Sequence, residues 1–204
     1  FDLQATGSEG GPWTDSFSIP VSCGGGSSES LDIRISDTYD DAEERIVSGN
    51  MILKGSDLEL VEDSATQTVG LRFQNITIPQ GATISGAAIE FAADEVHSGD
   101  TDLTFHGQAA DNAEAFSSNL ADVSTRPKTS AAGDWPNVPA WTTVHEIYTS
   151  PNLAPIIQEI VSRGGWSSGN SLVIIITGSG RRVAEAFDGR PELAPVLHID
   201  YKEP

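Results

Sequence analysis

The chain has 204 residues, with 11 basic and 30 acidic side chains, and its formal net charge of −19 disfavours nucleic acid and anionic membranes as partners. Its length suits one large domain with a tail, and it contains no run of about 18 apolar residues that would insert into a membrane. The single cysteine, Cys23, excludes an intrachain disulfide.

Residues 1–30 differ in composition from the rest and are predicted to form a tail. Gly-rich stretches at 6–11 and 24–30 flank a segment, residues 16–23, whose alternate positions are apolar. These apolar positions are Phe17, Ile19, Val21 and Cys23. Alternation of period two predicts a strand with one buried face, and a proline at position 20 suits an edge or added strand. The sequence therefore predicts a detached strand on a Gly-rich tether.

The body, residues 31–204, is predicted to consist of about nine or ten short strands, because short alternating apolar runs recur between turn signals. The alternation slips by one residue at Asn75, which predicts a bulge. A turn is predicted at residues 79–81. Residues 172–176 are apolar on both faces, which predicts a central strand.

One helix is predicted, near residues 151–163, where apolar residues recur at helical spacing. Ser150 is the expected N-cap, and Gly164 and Gly165 end the run. Many short strands with a single helix predict an all-β fold, an antiparallel β-sandwich or jelly roll, rather than alternating βαβ units.

Clustered carboxylates make calcium the predicted cofactor. Five of the eight residues from Asp37 to Glu44 are acidic, and further acidic residues lie near Gly99. Calcium takes six to eight oxygen ligands, readily supplied by loops. The predicted ligands are Asp40, Asp41, Glu43, Glu44, Asp94 and Glu95. A solvated acidic loop explains the same pattern, and both interpretations stay open.

Two tryptophans suggest an alternative ligand site. Trp135 and Trp141 bracket a proline-containing loop, and exposed tryptophans on a β-sandwich can stack on sugar rings. Tryptophan also commonly anchors a core or a loop. Nucleophilic catalysis is not indicated, because the chain has no Gly-x-Ser-x-Gly motif and its four histidines do not have zinc-ligand spacing. A hydrolase with paired carboxylates is the least favoured function.

The body resembles an uncharacterised jelly-roll-like module of secreted and surface proteins of Gram-negative, often marine, bacteria. The residues that carry the resemblance are Asp40–Glu44, Val69–Phe73, Ile78–Ile84, Ile157–Val161, Gly165-Trp166, Gly169-Asn170, Asp188-Gly189 and Ala194-Pro195. The resemblance implies a sandwich fold and an extracellular address. It implies no activity, and it does not cover residues 1–30.

These patterns predict a non-catalytic extracellular structural protein whose copies assemble by donating the N-terminal strand to one another. The chain opens with Phe1-Asp2-Leu3-Gln4 and lacks an apolar signal segment, so we expect either an intracellular protein or a form from which a signal peptide has been removed. The Gly/Ser/Thr/Asp-rich composition, the low lysine content and the acidic pI favour the processed form. The expected partners are further copies of the chain. The alternative is a carbohydrate-binding module with a polysaccharide partner.

Overall fold

A computed structural model describes residues 27–204, which contain thirteen strands and one helix. In chain order the strands are β1 (Ser28–Arg34), β2 (Asp41–Arg45), β3 (Met51–Ile52), β4 (Asp57–Leu60), β5 (Glu62–Asp63), β6 (Ala65–Ile76), β7 (Thr83–Ala92), β8 (Asp102–Gln108), β9 (Lys128–Trp135), β10 (Ile147–Thr149), β11 (Asn170–Ser179), β12 (Arg182–Glu185) and β13 (Val196–Lys202). The helix, α1 (Ala154–Val161), lies between β10 and β11. The predicted strand at residues 16–23 lies outside the described residues.

All strand pairs are antiparallel, and they form two main sheets and a ribbon. The first sheet has the order β1-β13-β7-β10. The second has the order β3-β2-β6-β11-β8-β9, with β5 also pairing β6, and β4 pairs β12 as a separate ribbon. The predicted all-β sandwich with one short helix is confirmed.

Strand β11 lies between β6 and β8, and its two apolar faces pack into two clusters. Ile174 and Ile176 face the main core between the sheets, whereas Val173 and Ile175 face a smaller cluster that includes Phe116. Successive side chains of a strand point to opposite faces, so a run that is apolar throughout requires cover on both sides. The prediction of a central strand is confirmed.

Helix α1 contacts β7, β8 and β9 and presents its apolar face to the main core. It is shorter than predicted, and Leu153 rather than Ser150 is its N-cap. The Ser150 hydroxyl accepts a hydrogen bond from the Ile89 amide instead, at 2.9 Å. The close approach to β8 requires glycine at position 107, because a Cβ there would lie 2.6 Å from Ile160 Cδ1.

The predicted bulge, the predicted turn and the predicted start of the body can each be compared with the backbone. Asn75 has a φ of 55°, and the pairing of β6 with β11 shifts register beside it, which confirms the predicted bulge. Gly81 has a φ of 84° in the turn after Pro79, as predicted. The body begins earlier than residue 31, however, because Ser28 already pairs with Lys202 in the ladder of β1 and β13.

Candidate functional site

The acidic run at residues 40–44 forms an inner strand rather than an exposed loop. Asp41–Arg45 is β2, which pairs with β3 on one side and β6 on the other. The side chains of Asp40, Asp41, Glu43 and Glu44 are each 4% exposed or less. Since neighbouring side chains on a strand point to opposite faces, these carboxylates do not converge on one ion.

Asp40 and Glu44 hold other parts of the chain in place. Asp40 Oδ1 accepts a hydrogen bond from Arg72 Nη1 at 2.6 Å, which forms a buried ion pair. Glu44 Oε2 accepts hydrogen bonds from the amides of Val123 and Ser124, at 2.9 and 2.7 Å. Charge-assisted bonds of this kind are among the stronger ones in proteins. Both carboxylates therefore have structural partners, and the expectation that they are calcium ligands is not supported by their geometry.

Asp41 and Glu43 are buried acids with raised pKa values. Burial raises the pKa of Asp41 to about 7, although its Oδ2 accepts a hydrogen bond from the Phe187 amide at 2.8 Å. Burial, followed by the neighbouring Glu59 carboxyl, raises the pKa of Glu43 to about 9. Glu43 Oε1 accepts bonds from the Glu59 amide at 2.7 Å and from Gln67 Nε2 at 3.2 Å. These acids are stabilised as protonated groups inside the fold.

The remaining predicted ligands, Asp94 and Glu95, do belong to a carboxylate cluster. Together with Asp57 they each offer one oxygen, and the three oxygens lie within 4.8 Å of one another. The amides of Asp94 and Glu95 approach the Val183 carbonyl on β12, at 2.8 and 3.5 Å. Since β12 pairs with β4, the chain after β7 is held beside Asp57. Sequence reasoning missed Asp57, because only this long-range pairing connects it to the other two.

Basic side chains lie beside Glu95 of the cluster and beside the neighbouring Glu185. Glu185 on β12 is 2% exposed, and burial and Asp94 both raise its pKa. Its Oε1 lies 3.0 Å from His145 Nε2 and 3.4 Å from Arg190 Nε. Glu95 Oε2 lies 2.8 Å from His97 Nε2 and 3.3 Å from Arg181 Nη2. Arg181 thus partly balances the charge of Glu95, one of the three carboxylates of the cluster.

Calcium binding stays a prediction, and the group formed by Asp57, Asp94 and Glu95 is where it can be tested. An ion that binds only the folded state at about 100 times its Kd would raise the free energy of unfolding by about 2.7 kcal/mol. We expect excess Ca²⁺ to raise the melting midpoint relative to EDTA. Melting followed by circular dichroism at fixed ionic strength is the measurement.

Two variants serve as controls for the calcium prediction. Asp94→Asn should abolish the shift caused by Ca²⁺, whereas Glu192→Gln, which removes a charge from an exposed turn, should keep it. An identical midpoint in EDTA and in Ca²⁺ for the unmodified protein would count against the prediction.

Trp135 and Trp141 do not form an exposed platform. Trp141 is 0% exposed and stacks on Tyr148 with ring centroids 4.9 Å apart. Trp135 is 8% exposed and packs beside Phe105. A sugar ring needs a free aromatic face for stacking, so the predicted platform is wrong for this pair. Both tryptophans instead anchor loops to the main core, which is the commoner role of a buried indole.

Comparison with protein-family models finds no match to this chain, and comparison with curated proteins finds none either. The resemblance to a secreted bacterial module therefore stays an expectation. Among residues 27–204, no helix is both long and apolar enough to cross a membrane. The subunit-contact residues Phe17, Ile19, Val21 and Cys23 lie outside the described part of the chain.

Proposed function

We propose that this chain is a non-catalytic structural module of the cell exterior whose copies assemble into a polymer by donor-strand complementation. In this function, residues 16–23 of one copy add as a strand to a sheet of the next. The observation that carries the proposal is the position of β1. Residues 16–23 and a short Gly-rich stretch precede β1 in the chain, and β1 is an edge strand of the first sheet, so the tail joins the body at a sheet edge.

The packing of the body is consistent with a donated strand. Its two apolar clusters are lined by side chains of the body itself, between Ile35 and Tyr201. On this proposal, the apolar face predicted for residues 16–23 is buried in a second copy rather than in these clusters. A contact in which one surface of a copy meets a different surface of the next is head-to-tail, and it propagates into a filament unless it closes into a ring.

The buried acids support a non-catalytic role. Carboxyl groups with raised pKa values are typical candidates for general acids. Here Asp41 and Glu43 are 4% and 3% exposed, and both accept hydrogen bonds from backbone amides. A substrate has no access to groups buried to this extent, so their pKa values are better explained by packing.

Composition supports the exterior address and the mode of assembly. The net charge of −19 and the Gly-rich composition suit a soluble secreted protein, as does the resemblance described above. Like-charged copies repel one another, so a stable contact needs an uncharged element. Residues 16–23 contain no charged side chain, which makes them the suitable element for that contact.

A carbohydrate-binding module is less well supported than a structural subunit. That alternative depended on Trp135 and Trp141, and both indoles pack into the core.

Two substitutions in the full chain test the proposed function. Ile19→Asp places a charge on the predicted apolar face of the strand, and Ser18→Asp places the same charge on the opposite face. We expect Ile19→Asp to abolish polymer formation and Ser18→Asp to leave it nearly unchanged, because burying an unpaired carboxylate is strongly unfavourable. Sedimentation velocity and electron microscopy give the size distribution.

Below the concentration at which the unmodified protein assembles, melting curves of both variants should match its own, since the strand is proposed to be buried only in a second copy. Equal assembly by both variants would overturn the role of the strand. A full chain that stays monomeric at high concentration would overturn assembly altogether.

A further inference from the structure

An apolar groove runs beside the free edge of the second sheet. Strand β3 forms this edge, and among the described residues it is hydrogen-bonded on one side only, to β2. The groove has a volume of about 490 Å³. We call it the β3 groove, and it is lined by Tyr39, Met51, Ile52, Leu53, Lys54 and Ser118. An unpaired strand edge exposes backbone groups that can pair with another strand.

The walls of the β3 groove continue into the smaller apolar cluster of the body. Met51 and Leu53 pack against the cluster that contains Phe116 and Val123. Further apolar side chains remain exposed near this edge: Val47 is 94% exposed and Leu120 is 68% exposed. The amide of Ala121 donates a hydrogen bond to the Gly49 carbonyl at 2.8 Å, so the two loops that carry these side chains meet. Exposed apolar side chains that collect near an open strand edge commonly mark an interaction site.

We propose that the β3 groove is the acceptor site of the polymer and that it receives residues 16–23 of a second copy. This inference rests on the proposed function and names the surface on which it acts. Phe17, Ile19 and Val21 would face the groove, because they share one face of the predicted strand. The donated strand would pair with the open edge of β3 and extend the second sheet by one strand.

Pro20 fixes which side of the donated strand pairs with β3. The N–H and C=O of one residue in a strand point to the same neighbour, and alternate residues point to opposite neighbours. Pro20 has no N–H and suits the side that makes no ladder bonds. The residues that hydrogen-bond to β3 are then the odd-numbered ones, such as Ile19 and Val21, whose amides are intact.

Charge and chain length both favour a second copy as the occupant. Among residues 27–204, Lys54 is the one charged residue that lines the groove, with Nζ 5.9 Å from the centre of the Tyr39 ring. Asp15 directly precedes the predicted strand. The tether from Gly24 to Ser27 reaches about 14 Å when extended. Strand β1 is roughly 20 Å long and begins where the tether ends, whereas Tyr39 of the groove follows the opposite end of β1 in the chain. To fill its own groove, a copy would therefore have to fold its tail back along β1.

A cross-link between Cys23 and the groove tests this contact in the full chain. Cys23 is the single cysteine, so Ser118→Cys adds one exposed partner beside the groove. After mild oxidation, we expect a non-reducing gel to show a ladder of disulfide-linked oligomers that disappears on reduction. The ladder should be at least about tenfold weaker in the Glu192→Cys variant, which reports random collision. It should be absent in the double variant Cys23→Ser with Ser118→Cys.

The outcomes separate this inference from the proposed function. If Ile19→Asp abolishes the polymer but Ser118→Cys gives no ladder of disulfide-linked oligomers, the strand docks elsewhere. That result overturns the inference alone. A chain that is cross-linked to itself and runs as a monomer would show that the groove is filled by its own tail, which also overturns it. Leu53→Arg should raise the concentration needed for assembly at least about tenfold, and Val96→Arg, at an exposed apolar position that does not line the groove, should not.

Discussion

Replacing Glu43 with Gln should remove a steep loss of stability that the unmodified protein shows between about pH 5 and pH 8. The pKa of Glu43 is raised from 4.5 to about 9, mainly by burial and then by the Glu59 carboxyl. The folded state therefore keeps a proton that the unfolded chain releases above about pH 4.5. The free energy of unfolding then falls as the pH rises, by up to about 1.4 kcal/mol per pH unit, until the folded state loses the proton near pH 9.

The surroundings of Glu43 explain why the neutral form fits. Gln67 Nε2 lies 3.2 Å from Glu43 Oε1 and 3.3 Å from Glu59 Oε2, so it bridges the two carboxyls. Arg181 Nη2, at 4.0 Å from Glu59 Oε1, is the nearest basic group paired with Glu59. Deprotonation of Glu43 would place a buried negative charge beside a second carboxyl group, which is unfavourable inside the fold.

Urea unfolding at pH 5 and pH 8 measures the effect. Glutamine mimics the protonated acid, so Glu43→Gln should match the unmodified protein at pH 5 and exceed its stability by roughly 2–4 kcal/mol at pH 8. Glu192→Gln removes one exposed charge and should leave the pH dependence in place. Parallel pH profiles for Glu43→Gln and the unmodified protein would contradict the assignment. Asp41, with its raised pKa, adds a slope of the same sign below about pH 7.

Replacing Arg182 with Met should destabilise the fold by about 2–5 kcal/mol, because several buried oxygens lose a charged hydrogen-bond donor. Arg182 is 1% exposed, and its guanidinium donates to three carbonyls and one hydroxyl. The acceptors are Pro139 O at 2.9 Å, Val138 O at 2.6 Å, Arg181 O at 2.7 Å and Thr101 Oγ1 at 2.8 Å. Removing the donors leaves these oxygens buried without partners.

Arg182 also connects separate parts of the chain. The loop after β9 and the segment before β8 both meet at its guanidinium. Arg182→Lys should be nearly as damaging as Arg182→Met, because a single ammonium does not span the planar set of acceptors. Arg45→Met is the matched control. Arg45 is 43% exposed and lies 3.8 Å from Asp63, so its loss should cost less than about 1 kcal/mol.

Chemical denaturation with urea, followed by tryptophan fluorescence, gives the unfolding midpoints and slopes for these variants. A loss below about 1 kcal/mol for Arg182→Met would contradict the structural role of the guanidinium. If both Arg182 variants fail to fold, thermal aggregation in cell extracts compared with Arg45→Met still ranks the three proteins.

Most of the fold could be predicted from local sequence patterns. Alternation of period two identified the strands, the fully apolar run at residues 172–176 identified the central strand, and 3.6-residue spacing identified α1. The slip at Asn75 located the bulge. These features depend on neighbours within a few residues, so the sequence carries them directly.

The chemical sites depended on information that local patterns do not contain. Carboxylates are usually exposed, so the run from Asp40 to Glu44 was interpreted as a loop, whereas Arg72 and the amides near Val123 compensate for the burial of two of its members. If the run had been assigned to a strand, the alternation of its side chains would have shown that the odd-numbered and even-numbered acids point to opposite faces.

The sequence by itself determined the all-β class, the helix, the central strand and the alternating segment at residues 16–23. Only the tertiary structure decided that Asp57 joins Asp94 and Glu95, that Trp141 is buried against Tyr148, and that β3 is an edge strand among the described residues. The physical reason is range: periodicity reflects which face of a strand or helix is buried, and it does so over a few residues. Which strands become neighbours, and which buried polar groups find partners, depends on contacts between distant segments.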